Sequence, residues 1–271
     1  MKIVIGHCHV AAKPHGRDES GRPEIGTIPA LLRIMEEAGV SGAVAFAPFG
    51  PQDGVEANEW LRRELEKYPN LIGFAVIDPK QEGAAGRLRQ CAQMGLRGLK
   101  IHPPVMRTAI NDPASKPLYQ AAEELSIPIV FHTGAHGWYL RNYVPMLFDD
   151  VAQDHPGLPI IIAHVGGQTF FDQALAVMLN NKNCYAGLTM EWGTSGRFPA
   201  SALRPDQVDI LLDTVGPDRI LYGLGYPWNS DNLAALKKDI EWILGWDIPD
   251  EDKQKILGGN LTRLVESAQC G

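Results

Sequence analysis

Lys2-Ile3-Val4-Ile5-Gly6-His7-Cys8-His9 is a short apolar run that ends in a His-x-His pair. Residues two apart on an extended strand share a face, so His7 and His9 direct two imidazoles toward one point and Cys8 turns to the opposite side. Neutral imidazole is the commonest metal ligand among side chains. The same pattern recurs along the chain. His132 closes the run Ile127-Pro128-Ile129-Val130-Phe131, His164 closes Pro159-Ile160-Ile161-Ile162-Ala163, and Gly98-Leu99-Lys100-Ile101-His102 puts Lys100 and His102 two apart. Strand-end histidines that converge make a metal-centred active site, so the fold must bring these ends together.

The spacing of apolar runs supplies such a fold. Strands are expected over 2–5, 42–46, 71–76, 96–101, 127–131, 159–163, 183–188 and 219–222, as continuous hydrophobic runs of the kind that parallel strands covered by helices require. Amphipathic segments alternate with them, over 28–38, 56–67, 83–94, 117–125, 144–153, 167–180, 205–214 and 232–244, and a last helix over 261–268. Alternating β and α units of this number predict an α/β fold, a TIM (β/α)8 barrel formed as one domain over 1–271. An open doubly wound sheet is the alternative, disfavoured because the first strand-to-helix turn has no GxGxxG fingerprint.

With 271 residues, 45% of them hydrophobic, the chain can bury a sizeable core. No apolar stretch approaches the roughly 20 residues that cross a bilayer, and no charged-then-apolar leader is visible, so a cytoplasmic protein without a membrane partner is expected. A net charge of -7 disfavours a sequence-independent nucleic-acid binder. The four cysteines show no CxxC spacing and are read as packed thiols.

In a TIM barrel the carboxyl ends of the strands carry function, and the histidines named above all fall there. Lys100, whose ammonium is costly in a barrel mouth unless it meets an anion, is expected to take part in catalysis or to bind a substrate carboxylate. His102, Trp138, Arg141 and Glu191 are expected substrate contacts, with Tyr139, Tyr143, Trp192 and Arg197 nearby; aromatics interspersed with arginine suit a small planar or carboxylated molecule. The polar stretch 11–26 is long enough to be a lid. His15, His136 and His155 are read as solvent-facing.

Several motifs resemble the amidohydrolase-related family, a branch of the amidohydrolase superfamily that includes metal-dependent hydrolases and nonoxidative decarboxylases. They are Gly6-His7-Cys8-His9, Gly98-Leu99-Lys100-Ile101-His102, Phe131-His132-Thr133-Gly134, Ala163-His164-Val165-Gly166-Gly167, Tyr222-Gly223-Leu224-Gly225-Tyr226-Pro227-Trp228 and 256–264. The resemblance implies a divalent metal, usually zinc, held by His7, His9 and His132, with His164 as the catalytic histidine. The family's eighth strand commonly ends Gly-Ser-Asp-Tyr-Pro, where the aspartate touches the metal and takes a proton from bound water; Gly225 stands at that place here.

That departure frames the functional expectation. A metal-dependent hydrolase of a small ester, lactone or amide, with an atypical metal shell, comes first. A nonoxidative decarboxylase of a small unsaturated or aromatic acid is the alternative, and a non-catalytic metal- or ligand-binding barrel is the third reading. Glu191, Asp231 and Asp78 are the carboxylates that stand near enough in sequence to substitute for the missing one. A homo-oligomer is compatible with all three readings.

Overall fold

The computed structural model describes residues 1–15, 26–189, 203–229 and 231–268. Its strands are β1 (Val4–His9), β2 (Gly42–Phe46), β3 (Leu71–Val76), β4 (Gly98–Ile101), β5 (Ile129–His132), β6 (Ile160–Ala163), β7 (Cys184–Thr189) and β8 (Ile220–Tyr226). They pair in parallel in chain order and β8 returns to β1, closing a TIM barrel. The helices are α1 (Ile28–Glu37), α2 (Ala57–Leu65), α3 (Ala84–Gln93), α4 (Pro103–Met106), α5 (Lys116–Glu124), α6 (Leu147–Asp154), α7 (Gly167–Asn180), α8 (Pro205–Thr214), α9 (Asn232–Leu244), α10 (Asp250–Gln254) and α11 (Asn260–Ser267). No helix among the described residues is long and apolar enough to cross a membrane.

Side-chain chemistry fixes where helices start. The Thr27 hydroxyl accepts from the Ala30 amide at 3.3 Å at the head of α1, and Asp231 Oδ1 accepts from the Ala234 amide at 2.9 Å at the head of α9. Each satisfies an amide that the first helical turn leaves without an intrahelical partner.

Two apolar layers hold the barrel. Outward-facing strand residues such as Ile5, Leu99, Ile129 and Ile160 pack with Leu31, Leu61, Leu88 and Leu236 of the surrounding helices. Val4, Val44, Phe46, Phe74, Val130, Ile161 and Leu221 fill the interior, and Leu261, Leu264 and Val265 of α11 close its amino-terminal end. Each such leucine contributes about 1.5–3 kcal/mol by leaving water. With one end plugged, only the carboxyl end is open to a ligand.

Plain alternation does not describe β1. Its register with β2 steps from Ile5 opposite Ala43 to Cys8 opposite Ala45, so β1 spends one residue more than its neighbour, and His7 takes a left-handed backbone at φ 61°. This is a β-bulge, a device that re-aims a side chain. Gly223 on β8 makes room for it: a Cβ there would lie 2.9 Å from the Gly6 oxygen and 3.0 Å from His7 Cβ. Cys8 does face away and is fully buried in the layer between strands and helices. β1 and β8 also run four residues further toward the open end than the sequence reading has them.

Candidate active site

A pocket of 380 Å³ opens at the carboxyl end of the barrel, lined by His7, His9, His102, His132, His136 and His164 together with Phe49, Val105, Thr133, Gly134, Ala135, Gly225 and Trp228. The histidines expected from β1, β5 and β6 therefore meet. His7 and His9 have ring centres 5.3 Å apart at 58°, His7 and His164 5.2 Å at 52°, and His132 and His164 4.9 Å at 72°. Imidazoles that share one tetrahedral ion at about 2 Å per bond have ring centres roughly 5 Å apart and inclined planes. His7 with His9 and His164, and His132 with His164, thus have the spacing of imidazoles about a cation, and the group whose ligand nitrogens lie within 4.8 Å of one another among the described residues is His102, His132 and His136.

His102 stands differently. Its ring lies 4.0 Å from that of His132 and 9° from parallel. A ring nitrogen binds along its own plane, so two parallel stacked rings share no point that suits both. His102 Nδ1 is buried without a hydrogen-bond partner. The imidazoles of His102, His132 and His136 bring ligand nitrogens within 4.8 Å of one another, with His102 stacked on His132.

The turn that carries His164 is strained and braced. His164 and Val165 both hold left-handed backbones, at φ 64° and 47°, which costs about 1–3 kcal/mol for each such residue. Thr133 at the end of β5 ties the turn down: its hydroxyl donates to the Ala163 oxygen and accepts from the Gly166 amide. His164 Nδ1 lies 3.1 Å from the Thr189 backbone oxygen. A carbonyl only accepts, so Nδ1 carries the proton and Nε2 presents a bare lone pair.

Lys100 lies beneath the histidines, fully buried inside the barrel. Its Nζ is 3.5 Å from His7 Nε2 and 5.1 Å from the centre of the Phe46 ring. Burial drives its pKa well below the usual lysine value. The same burial, followed by the effect of Lys100, holds His7 and His9 far below the ordinary histidine value and brings His164 down to about 4. Burial and then the neighbouring His102, His164 and Lys100 lower His132 in the same way. No Asp or Glu lines the pocket among the described residues.

Trp138 and Arg141 are not among the lining residues. Trp138 stacks on Tyr143 at 6.1 Å and 8°, with Arg107 over its face, and Arg141 lies over Tyr139. These loop residues find partners in one another and lie outside the lining formed by the described residues. Glu191, with Trp192, Arg197 and most of the expected lid, lies outside the described residues. His155 is buried and pairs with Glu123 at 3.1 Å, so it does not face solvent as expected. His136 is exposed yet turned to the pocket.

The sequence reading missed the rim. Phe49, Val105 and Trp228 are large apolar side chains left 45%, 49% and 38% exposed at the pocket mouth, and both Phe49 and Trp228 border the His9 ring. Phe49 and Val105 sit in the segments that follow β2 and β4, where position alone marks them for function.

A curated relative, the 2-amino-3-carboxymuconate-6-semialdehyde decarboxylase of Dictyostelium discoideum, is 23% identical over 252 residues, spanning 79% of this chain and 68% of the relative. Among solved structures, an uncharacterised TIM-barrel protein of Bordetella bronchiseptica superposes with a TM-score of 0.77 at 20% identity, over 99% of both chains. The 5-carboxyvanillate decarboxylase of Novosphingobium aromaticivorans, complexed with manganese and 4-hydroxy-3-methoxy-5-nitrobenzoic acid, superposes with a TM-score of 0.72 at 14% identity, over 98% of this chain and 96% of the other. At these identities the structural likeness is one of fold. A family model described as amidohydrolase matches residues 2–266, and the chain accordingly belongs to the amidohydrolase family.

Proposed function

We propose that the chain is a metal-dependent nonoxidative decarboxylase of a small planar carboxylic acid. The observation that carries this reading is the polarity of the pocket. Its floor holds imidazoles with no described carboxylate, with Lys100 buried behind His7, and its rim is apolar and aromatic. Such a pocket is complementary to an acid that enters carboxylate first with a flat body behind it. Further support comes from the decarboxylase among the curated relatives and from the decarboxylase fold neighbour, whose complex holds a substituted benzoic acid. The hydrolase reading placed first from sequence has less support. It needs a base beside an attacking water; Gly225 supplies none, so that role would also fall to His164 Nε2, and the named curated relative is a decarboxylase.

His7, His9 and His132 would hold the cation, and His102 would steady His132 through the ring stack. When bound, the cation would polarise the substrate's oxygen atoms and stabilise the negative charge that develops as the bond to the carboxyl carbon breaks. Lys100, buried beneath the pocket, would act on the site through His7, whose Nε2 lies 3.5 Å from its Nζ. Phe49 and Trp228 cover the planar body and exclude water. The electron pair of the broken carbon–carbon bond stays on the substrate carbon as carbon dioxide leaves. His164 Nε2, which gains a proton once an anion lies beside it, delivers that proton to the carbon and is recharged from solvent.

The test is a panel of aromatic and unsaturated acids with the zinc- or manganese-loaded protein, followed by carbon dioxide release. Release that is lost in His164→Asn is the expected result. Cleavage of esters or lactones with no carbon dioxide from any acid would restore the hydrolase reading, and metal binding without turnover of either kind would favour the binding barrel.

A further inference from the structure

We infer that the barrel interior beneath His7 holds a separate binding site, one that takes a small uncharged molecule of the size of carbon dioxide. Between His7 and Leu261 of α11 lies a cavity of 30 Å³, walled by the buried side chains of Val44, Phe74, Val130, Ile161 and Leu221. The interior of a TIM barrel is ordinarily filled by layers of bulky branched side chains. Here β1, β7 and β8 bring Gly6, Gly187 and Gly223 to the cavity instead. Close approach of the backbones requires them: a Cβ at Gly187 would lie 3.1 Å from Ala163 Cα, and one at Gly6 would lie 3.3 Å from the Tyr222 oxygen. Three of the eight strands thus contribute no side chain to this layer, and the cavity follows from their packing.

The walls decide what such a cavity takes. About 10–15 Å³ is enough for one water, so this space suits a single molecule of about two or three heavy atoms. A water also needs at least about two polar partners to be held. Among the described residues His7 and Thr189 are the polar side chains that face the cavity, and they lean on each other, His7 Nδ1 lying 3.5 Å from the Thr189 hydroxyl. Tyr222 turns its hydroxyl away, to Asp239. Apolar cavities stay dry and take up xenon. Carbon dioxide suits the same walls, being small, uncharged and without a net dipole. His7 lines both this cavity and the pocket above it, so the cavity adjoins the place where the proposed reaction would release carbon dioxide. Loss of the carboxyl group turns part of an anion into an uncharged molecule, whose preference moves from polar imidazoles to an apolar wall. Its withdrawal frees the substrate carbon to take a proton from His164. The choice of carbon dioxide rests on the decarboxylase reading; the affinity of the cavity for a small apolar molecule does not.

The experiment follows methyl resonances of the metal-free full chain by NMR as xenon is added under pressure. Methyls of Val44, Val130, Ile161, Leu221 and Leu261, which line the cavity, should shift together and saturably, while those of Ile5 and Leu99 in the outer layer stay in place. Val44→Ile adds a methylene to the cavity and should weaken xenon binding at least about tenfold. Should that variant fail to fold, Ile161→Val widens the cavity and should strengthen binding about twofold or more. Xenon that shifts both layers alike, or binds equally well in parent and variants, overturns the site. So does a long-lived water detected at these methyls without any shift from xenon. Dissolved carbon dioxide in mildly acidic buffer should shift the same methyls and compete with xenon, whereas bicarbonate at higher pH should not. Xenon binding that carbon dioxide leaves unchanged overturns the assignment to carbon dioxide. No turnover is read, so a failed search for decarboxylation leaves the xenon site standing, and a failed xenon titration leaves the decarboxylase reading standing.

Discussion

Lys100 Nζ lies 3.5 Å from His7 Nε2, and no acidic side chain lines the adjoining pocket among the described residues. Two groups that can each become a cation therefore share a buried space, and charging both at once would be strongly unfavourable. The fold carries this arrangement at a cost in stability, and under the proposed function both groups belong to the site.

Replacing Lys100 by methionine keeps an unbranched side chain one atom shorter and removes the amine. Exchange of a buried amine without an ion-pair partner for an apolar side chain removes the cost of its desolvation. Lys100→Met should therefore raise the Tm of the metal-free protein while weakening benzoate binding at least about tenfold, as read by thermal unfolding and calorimetry. A variant that is less stable and binds benzoate as well as the parent would show that Lys100 serves the core.

The parallel stack of His102 on His132 separates their roles. His102→Phe preserves a flat ring against His132 and removes both nitrogens, so zinc content after reconstitution should stay near that of the parent. His132→Phe should lose most of its zinc. The two variants, compared by elemental analysis, exchange outcomes if the cation instead sits among His102, His132 and His136.

Acid should unfold the metal-free protein earlier than carboxylate chemistry alone would. In the unfolded chain the site histidines take protons near pH 6.5, whereas burial keeps His7, His9, His132 and His164 unprotonated to much lower pH in the folded state. Between those limits the unfolded chain binds more protons, so stability is full above pH 6.5 and declines as pH falls. His164, lowered to about 4, alone accounts for about 3 kcal/mol of loss by pH 4. Urea midpoints measured from pH 7.5 to 4.5 should fall steadily across this range. A flat profile down to pH 5 would mean that these imidazoles charge freely in the folded protein.

The barrel is legible in the sequence because its evidence is repetitive: buried parallel strands must be apolar along their length, and each run ends where a polar residue reaches the mouth. His132 and His164 could be placed from that rule. His7 could be assigned to the site but its backbone could not, because a bulge depends on the register of β2 and β8 and on the close approach at Gly223, all distant in sequence. The rim was harder. Trp138 and Arg141 look like binding residues in a list of side chains, yet Tyr143 and Tyr139 satisfy them locally. Phe49 and Val105 carry no motif, and only the folded loops show that they border the pocket.

Gly225 lines the pocket at φ 69°, so an added carboxylate there would bring both charge and strain. A left-handed backbone costs a residue with a Cβ about 1–2 kcal/mol, and aspartate is among the few that adopt it, since its short side chain can hydrogen-bond locally. Gly225→Asp should therefore lower the Tm of the metal-free protein by a few degrees, about 2–4 °C per kcal/mol for a somewhat smaller domain. It should also tighten zinc binding about tenfold, because a full negative charge then faces the cation. Gly225→Ala shares the backbone penalty and offers no charge, so it should show the same loss of stability without the gain in zinc affinity. Equal zinc affinity in the two variants would mean that a side chain at this position does not face the cation, and that the pocket obtains its negative charge elsewhere.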